Sequence, residues 1–139
     1  MKITRLGLAS LVLSLGATLA GAETLEGVWR LSGTPVELRF APCDDAVCGL
    51  IETSARIQAD PNALDLYNRN PALRKRPLRG ATMLDHLRWE GAVWKGKVYL
   101  PASGATYGVT VTRVDANTLR AQGCAAPLLC QTSTLLRKP

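Results

Sequence analysis

Apolar and polar residues alternate in short runs along most of this chain. Leu25, Gly27, Trp29 and Leu31 fall on one side of an extended segment, with Glu26, Val28 and Arg30 on the other. Val36, Leu38 and Phe40 alternate with Glu37 and Arg39, and Val47, Gly49, Ile51 and Thr53 continue the pattern in a third segment. Met83, Leu87 and Trp89 share a face in a fourth, Trp94, Val98 and Leu100 in a fifth, and Tyr107, Val109 and Val111 in a sixth. Residues 118–123 and 129–136 make two more. A period of two with one apolar face predicts antiparallel strands. Turn signals separate the runs: Ser32-Gly33-Thr34-Pro35, Glu90-Gly91, Ser103-Gly104 and Asp115-Ala116-Asn117. Roughly eight short strands without a helical period predict an all-β fold. A closed antiparallel eight-stranded barrel is preferred over a sandwich, because closure leaves no exposed edge.

Residues 55–79 break the pattern, being too polar and too interrupted by proline for a strand. Loops of this length are uncommon in compact domains and usually carry function or structure of their own. Asn70-Pro71 before Ala72-Leu73-Arg74-Lys75-Arg76 predicts a short helical turn, with Asn70 as N-cap, Pro71 in the first position and Pro77 ending it.

The first 22 residues read as an address rather than as fold. Lys2 and Arg5 precede an uncharged run from Leu6 to Leu19, and Ala20-Gly21-Ala22 has the small residues of a signal-peptidase site. The run is shorter than the roughly 20 residues a membrane-spanning helix needs. The expectation is export to the periplasm, cleavage after Ala22, no transmembrane segment after processing, and a single barrel domain over 23–139.

Composition sharpens this only in part. The 139 residues carry a formal charge of +6, which falls to +4 once Lys2 and Arg5 are removed. That balance makes no case for nucleic acid. A metal centre built on several histidines is excluded, since His86 is the only one. Cys43 and Cys48 form one local pair and Cys124 and Cys130 another. In an oxidising compartment two short-range disulfides are expected, each bracketing a turn. Four-thiolate zinc is disfavoured by spacings looser than paired C-x-x-C knuckles.

Several motifs, taken together, are similar to a family of small exported bacterial proteins, the domain-of-unknown-function family twenty-one forty-seven. They are Gly27-x-Trp29, Val36-Glu37-Leu38, Cys43 followed by Val47-Cys48-Gly49-Leu50-Ile51, and Asp65-x-x-Asn68-x-Asn70-Pro71-x-Leu73-Arg74-x-Arg76-Pro77-Leu78-x-Gly80. Further on come Trp94-Lys95-Gly96-Lys97-Val98-Tyr99-x-Pro101, Gly104-x-x-Tyr107 and Thr118-Leu119-x-x-x-Gly123-Cys124. The chain departs from the family pattern at Leu100, where the family usually carries an acid, and at Leu135, where it tends to have a tryptophan. The chain ends also resemble lipocalin-like barrels. That resemblance implies that Gly27 and Trp29 meet Arg137 across the seam, with a cation–π contact worth about 1 kcal/mol.

Two residue sets are candidates for function. Arg69, Arg74, Lys75, Arg76 and Arg79 form a basic cluster that could clamp a carboxylate or phosphate, with Asp65, Asn68 and Asn70 orienting it. In the structural alternative, Arg74 or Arg76 pairs with Asp65 to hold the loop. Trp94, Tyr99 and Tyr107 could line a barrel interior wide enough for one small ligand. His86 has no nucleophile or carboxylate partner placed by sequence, and no catalytic motif is present. The expectation is therefore a binding module rather than an enzyme, without cofactor or metal. It would take a small apolar, amphipathic or anionic ligand, with 55–79 as lid or clamp. The rival is an interaction module that docks an envelope protein through the Asn-Pro to Arg-Pro loop.

Overall fold

The computed structural model describes residues 24–139; the expected signal segment lies outside the described residues. Eight strands close into one antiparallel barrel in simple up-and-down order. They are β1 (Gly27–Leu31), β2 (Glu37–Cys43), β3 (Ala46–Thr53), β4 (Thr82–Trp89), β5 (Trp94–Leu100), β6 (Ala105–Asp115), β7 (Thr118–Ala126) and β8 (Leu129–Arg137). The turns therefore fall at two ends. The upper end carries the β1–β2 turn, the 54–81 connection and the β5–β6 and β7–β8 turns. The lower end carries the other three turns and the two ends of the barrel sequence.

The seam closes where β1 meets β8, with Trp29 opposite Arg137. The Arg137 guanidinium lies 4.2 Å from the centroid of the Trp29 ring. One of its nitrogens, Nη1, donates to the Glu26 carbonyl at 2.8 Å. Gly27 explains the first half of the Gly-x-Trp motif: a Cβ there would stand 3.2 Å from Arg137 Nη1, and its φ is +115°. Beneath this plug, Trp29 donates to the Leu25 carbonyl at 3.0 Å and meets Phe40 edge-on, centroids 6.3 Å apart. Leu119, Leu135 and Val111 complete the buried lower core.

Two disulfides form, Cys43–Cys48 across the β2–β3 turn and Cys124–Cys130 across the β7–β8 turn. The fourth strand departs from simple alternation. Leu84 and Leu87 are its buried residues, while Trp89 is exposed. A bulge between Asp85 and Arg88 adds a residue and reverses the phase. His86 sits in it at φ +47°.

The 54–81 connection has its own structure. Ser54 caps a short helix α1 (Ala55–Ala59), which buries Ile57 in the core. Asn70 caps a 3₁₀ turn at Pro71–Leu73 with proline in its first position, as the sequence predicts. The chain on either side of that turn pairs at Leu64 and Pro77.

Candidate functional site

Strand β5 divides two recesses. On its inner side Val98 and Leu100 face a hollow of about 580 Å³ in the upper barrel. Its cause is a fall in side-chain size up β7, helped by one small residue on β8. Leu119 and Leu135 fill the lower barrel, whereas Ala121, Gly123 and Ala125 on β7 and Ser133 on β8 leave space above them. Leu31, beside Leu135 across the seam, Val36 and Met83 add to the wall, and Gln131, Ser133 and Tyr107 are its polar residues. Among the described residues no Asp, Glu, His, Lys or Arg lines it. At the lip, Leu128 is 95% exposed and Leu129 68%. No residue of 55–79 belongs to its wall.

That connection instead wraps onto the outer side of β5. Tyr99, which alternation turns away from Val98 and Leu100, points outward and is nonetheless buried. It is covered by Asp65, which has no exposed surface. Tyr99 Oη donates to Asp65 Oδ1 at 2.5 Å, and Asn68 Nδ2 and Arg76 Nε each donate to Oδ2 at 2.9 Å. Burial opposes charging Asp65, but these donors outweigh it and hold its carboxyl below the usual carboxylate range. Burial and the hydrogen bond to Asp65 push the Tyr99 phenol up to about 12. Arg74 Nε donates to the Asn68 carbonyl at 2.8 Å, and Asn70 Oδ1 accepts from Ala72 N at 3.0 Å. At the β5–β6 turn, Gly104 passes so close to the Tyr67 carbonyl that a Cβ would stand 2.0 Å from its oxygen.

Between loop and barrel lies the second recess, of about 560 Å³. Asn68, Asn70 and Arg76 line it from the loop, with Thr82, Asp85, Lys97, Tyr99 and Thr106 from the sheet. Arg69 also lines it, and neither Arg69 nor Lys97 makes an ion pair among the described residues.

The residues singled out from the sequence thus separate. Asp65, Asn68, Asn70, Arg74, Arg76 and Tyr99 come together outside the barrel, and Arg76 pairs with Asp65 as the structural alternative has it. Tyr107 lies inside. Trp94 belongs to neither recess; it is buried in the lower barrel, 4.6 Å from the Trp89 ring. Lys97 was legible, since the same alternation sets it beside Tyr99 on the outer face. A third grouping was not. His86 Nδ1 meets Asp85 Oδ1 at 2.6 Å and its Nε2 meets Asp44 Oδ2 at 2.9 Å, across 42 residues of chain. These carboxylates, Asp44 first, raise its pKa.

Residues 27–137 match the model of a family described as uncharacterized proteins conserved in bacteria, DUF2147. The chain belongs to this family. No curated protein matches it. A solved structure with a similar fold is protein HP1028 from Helicobacter pylori, described as belonging to the lipocalin family. It shares 22% identity over 84% of each chain, with a TM-score of 0.70. At that identity the likeness supports the barrel fold, and the DUF2147 chain described here is a lipocalin-like barrel on its own strand order as well. Among the described residues no helix is long and apolar enough to cross a membrane.

Proposed function

We propose that this DUF2147 protein is an exported, periplasmic binding module that takes one small apolar or amphipathic molecule into the upper barrel. The observation that carries the reading is the hollow itself, walled by aliphatic side chains without a charged group and ringed at its lip by the exposed Leu128 and Leu129. Such a cavity favours an alkyl or ring-shaped apolar body, and Gln131, Ser133 and Tyr107 would orient one polar end. Its volume lies within the roughly 300–1,000 Å³ of ordinary ligand pockets. The two disulfides accord with an oxidising compartment. The test is titration with a neutral fluorescent alkyl probe. Wild type should take up one probe per chain, and Ala121→Phe, which fills the hollow, should weaken uptake at least tenfold while the chain still melts cooperatively. Undiminished uptake by Ala121→Phe, or none by wild type, would overturn the reading.

A second reading rests on a different observation. Leu66 and Tyr67 are more than half exposed at the outer face of the loop, beside Arg69 and the outer recess with its Lys97. This surface suits an acidic envelope partner. In this reading the loop clamps an anionic group on the partner rather than closing the barrel. Tyr67→Ala with Arg69→Glu should abolish capture of such a partner while leaving probe uptake intact.

A further inference from the structure

The lower end of the barrel holds a group that ligand binding in the hollow does not use. Cys43 and Cys48 flank the β2–β3 turn, and His86 overhangs them from the β4 bulge. Their potential ligand atoms, two sulfurs and one ring nitrogen, all lie within 4.8 Å of one another. Three independent features mark the grouping as built.

The first is backbone strain. Asp44 and His86 adopt φ +50° and +47°, a region that residues with a Cβ seldom enter, and they are the only non-glycine residues with positive φ among those described. Such outliers persist where surrounding contacts hold them, and they gather at functional sites. Here the two strained residues hold each other through the Asp44–His86 contact. The second is orientation. Each ring nitrogen of His86 faces a carboxylate. One can stay as the outer partner that fixes the ring when the opposite nitrogen ligates a metal. The third is the sulfur environment. The His86 backbone N–H points at Cys48 Sγ at 3.4 Å, the arrangement that stabilises a bound thiolate. Cys43 is half-buried and the His86 side chain is 36% exposed, so the site has an entrance.

We propose that Cys43, Cys48 and His86 form a redox-gated site for a soft divalent cation such as zinc, with Asp44 or Asp85 as fourth ligand. In the oxidised chain the disulfide occupies the sulfurs and the site is closed. A dithiol reductant delivers two electrons and two protons to the sulfur–sulfur bond; it leaves as its own disulfide, and two thiols remain. The cation then displaces both thiol protons to water and binds the two thiolates and the imidazole. Oxidation by a disulfide donor withdraws two electrons, re-forms the bond and expels the ion. Two thiolates and an imidazole with an oxygen ligand suit zinc's tetrahedral preference. Two sulfurs on one such ion stand about 3.8 Å apart. The Cα atoms, 5.7 Å apart, allow this by side-chain rotation. The Cys124–Cys130 bridge is the internal control, because no such ligand group forms around it among the described residues.

The experiment is cobalt titration of the whole chain, with its disulfides opened by a dithiol that is then removed under anaerobic conditions. Circular dichroism checks that the barrel persists. The reduced chain should bind one cobalt ion tightly, with visible bands of tetrahedral thiolate-ligated cobalt that zinc then bleaches. The oxidised chain should give none. Cys124→Ser with Cys130→Ser should retain the signal and Cys43→Ser with Cys48→Ser should lose it. His86→Gln, which keeps every thiol, should bind at least tenfold more weakly and with altered bands. Equal affinity and an unchanged spectrum in His86→Gln, or no tetrahedral spectrum in a reduced chain that keeps its fold, would overturn the proposal.

Discussion

The two sides of β5 are built by opposite means. Inside, the hollow exists because small residues, Ala121, Gly123 and Ala125 above all, leave the space unfilled. Outside, the recess exists because a loop is fastened to the sheet by one buried carboxylate with three donors. The contrast teaches that the same strand can offer one surface whose contents are exchangeable and another whose contacts are required. A change outside should lower stability and leave the hollow's binding alone. A change inside should do the reverse.

The largest effect is expected at Asp65. Asp65→Ala leaves Arg76, Asn68 and Tyr99 without their shared acceptor in a buried setting, and losing one partner of such a pair costs about 3–5 kcal/mol. Urea unfolding should show a free energy of unfolding lower by that amount, read as an earlier midpoint at unchanged slope. In the absence of urea the surviving folded fraction should still take up the alkyl probe with wild-type affinity. A loss below about 1 kcal/mol would mean that the network is surface decoration, and the contrast would fail.

Gly104→Ala comes next. The new Cβ would collide with the Tyr67 carbonyl, and φ is +70° there. The left-handed conformation alone costs a residue with a Cβ about 1–2 kcal/mol, and the clash adds to it. The loop must lift from the β5–β6 turn, so limited proteolysis should cut within 60–76 sooner than in wild type, with the barrel fragment intact.

Acid separates the two sides by charge. Asp65 has a folded-state pKa below its unfolded one, so its contribution to stability is present above the unfolded value and disappears as pH falls through the folded value. Glu37 behaves likewise, because hydrogen bonds from Arg30 and Lys138 depress its pKa. Stability should therefore decline as pH drops below the ordinary carboxylate range. The decline should be shallower in Asp65→Asn by the share of Asp65. Uptake of a neutral probe, by contrast, should be flat between about pH 7 and pH 5, since among the described residues no Asp, Glu, His, Lys or Arg lines the hollow. A steep dependence in that window would assign the probe to the outer recess.

How far these features were legible in the sequence follows from their physics. Strand alternation is local, and it gave β1, β2, β5 and β6 with their inward faces; the closing pair of Trp29 and Arg137 came from the lipocalin resemblance, and both disulfides from the close spacing of each cysteine pair. It failed in β4. No residue type announces that a histidine will take a left-handed conformation, so Leu87 and Trp89 were read onto one face. It also could not say that an outward tyrosine would be roofed. Tyr99 reads as a barrel aromatic until the loop is seen to bring Asp65 over it across 34 residues of chain. The asparagine cap and the following proline were readable because they act within three residues of their targets. The Asp44–His86 contact joins a turn to a bulge that only the pairing of β3 with β4 brings together.

The smallest effect is the sharpest test of the inner side. Leu128 is almost fully exposed, so Leu128→Ser removes no buried contact from the fold, and stability should stay within about 0.5 kcal/mol of wild type. Its cost should appear only with a ligand in the hollow. A guest that covers about 30 Å² of the leucine at the lip gains about 0.75 kcal/mol from it, roughly threefold in Kd. Equilibrium titration of the same probe against both chains resolves a threefold change. Equal affinities would place the ligand deeper than the lip, against Ala121 and Leu135, and would leave the exposed leucines to be explained by a surface the protein meets rather than by a molecule it encloses.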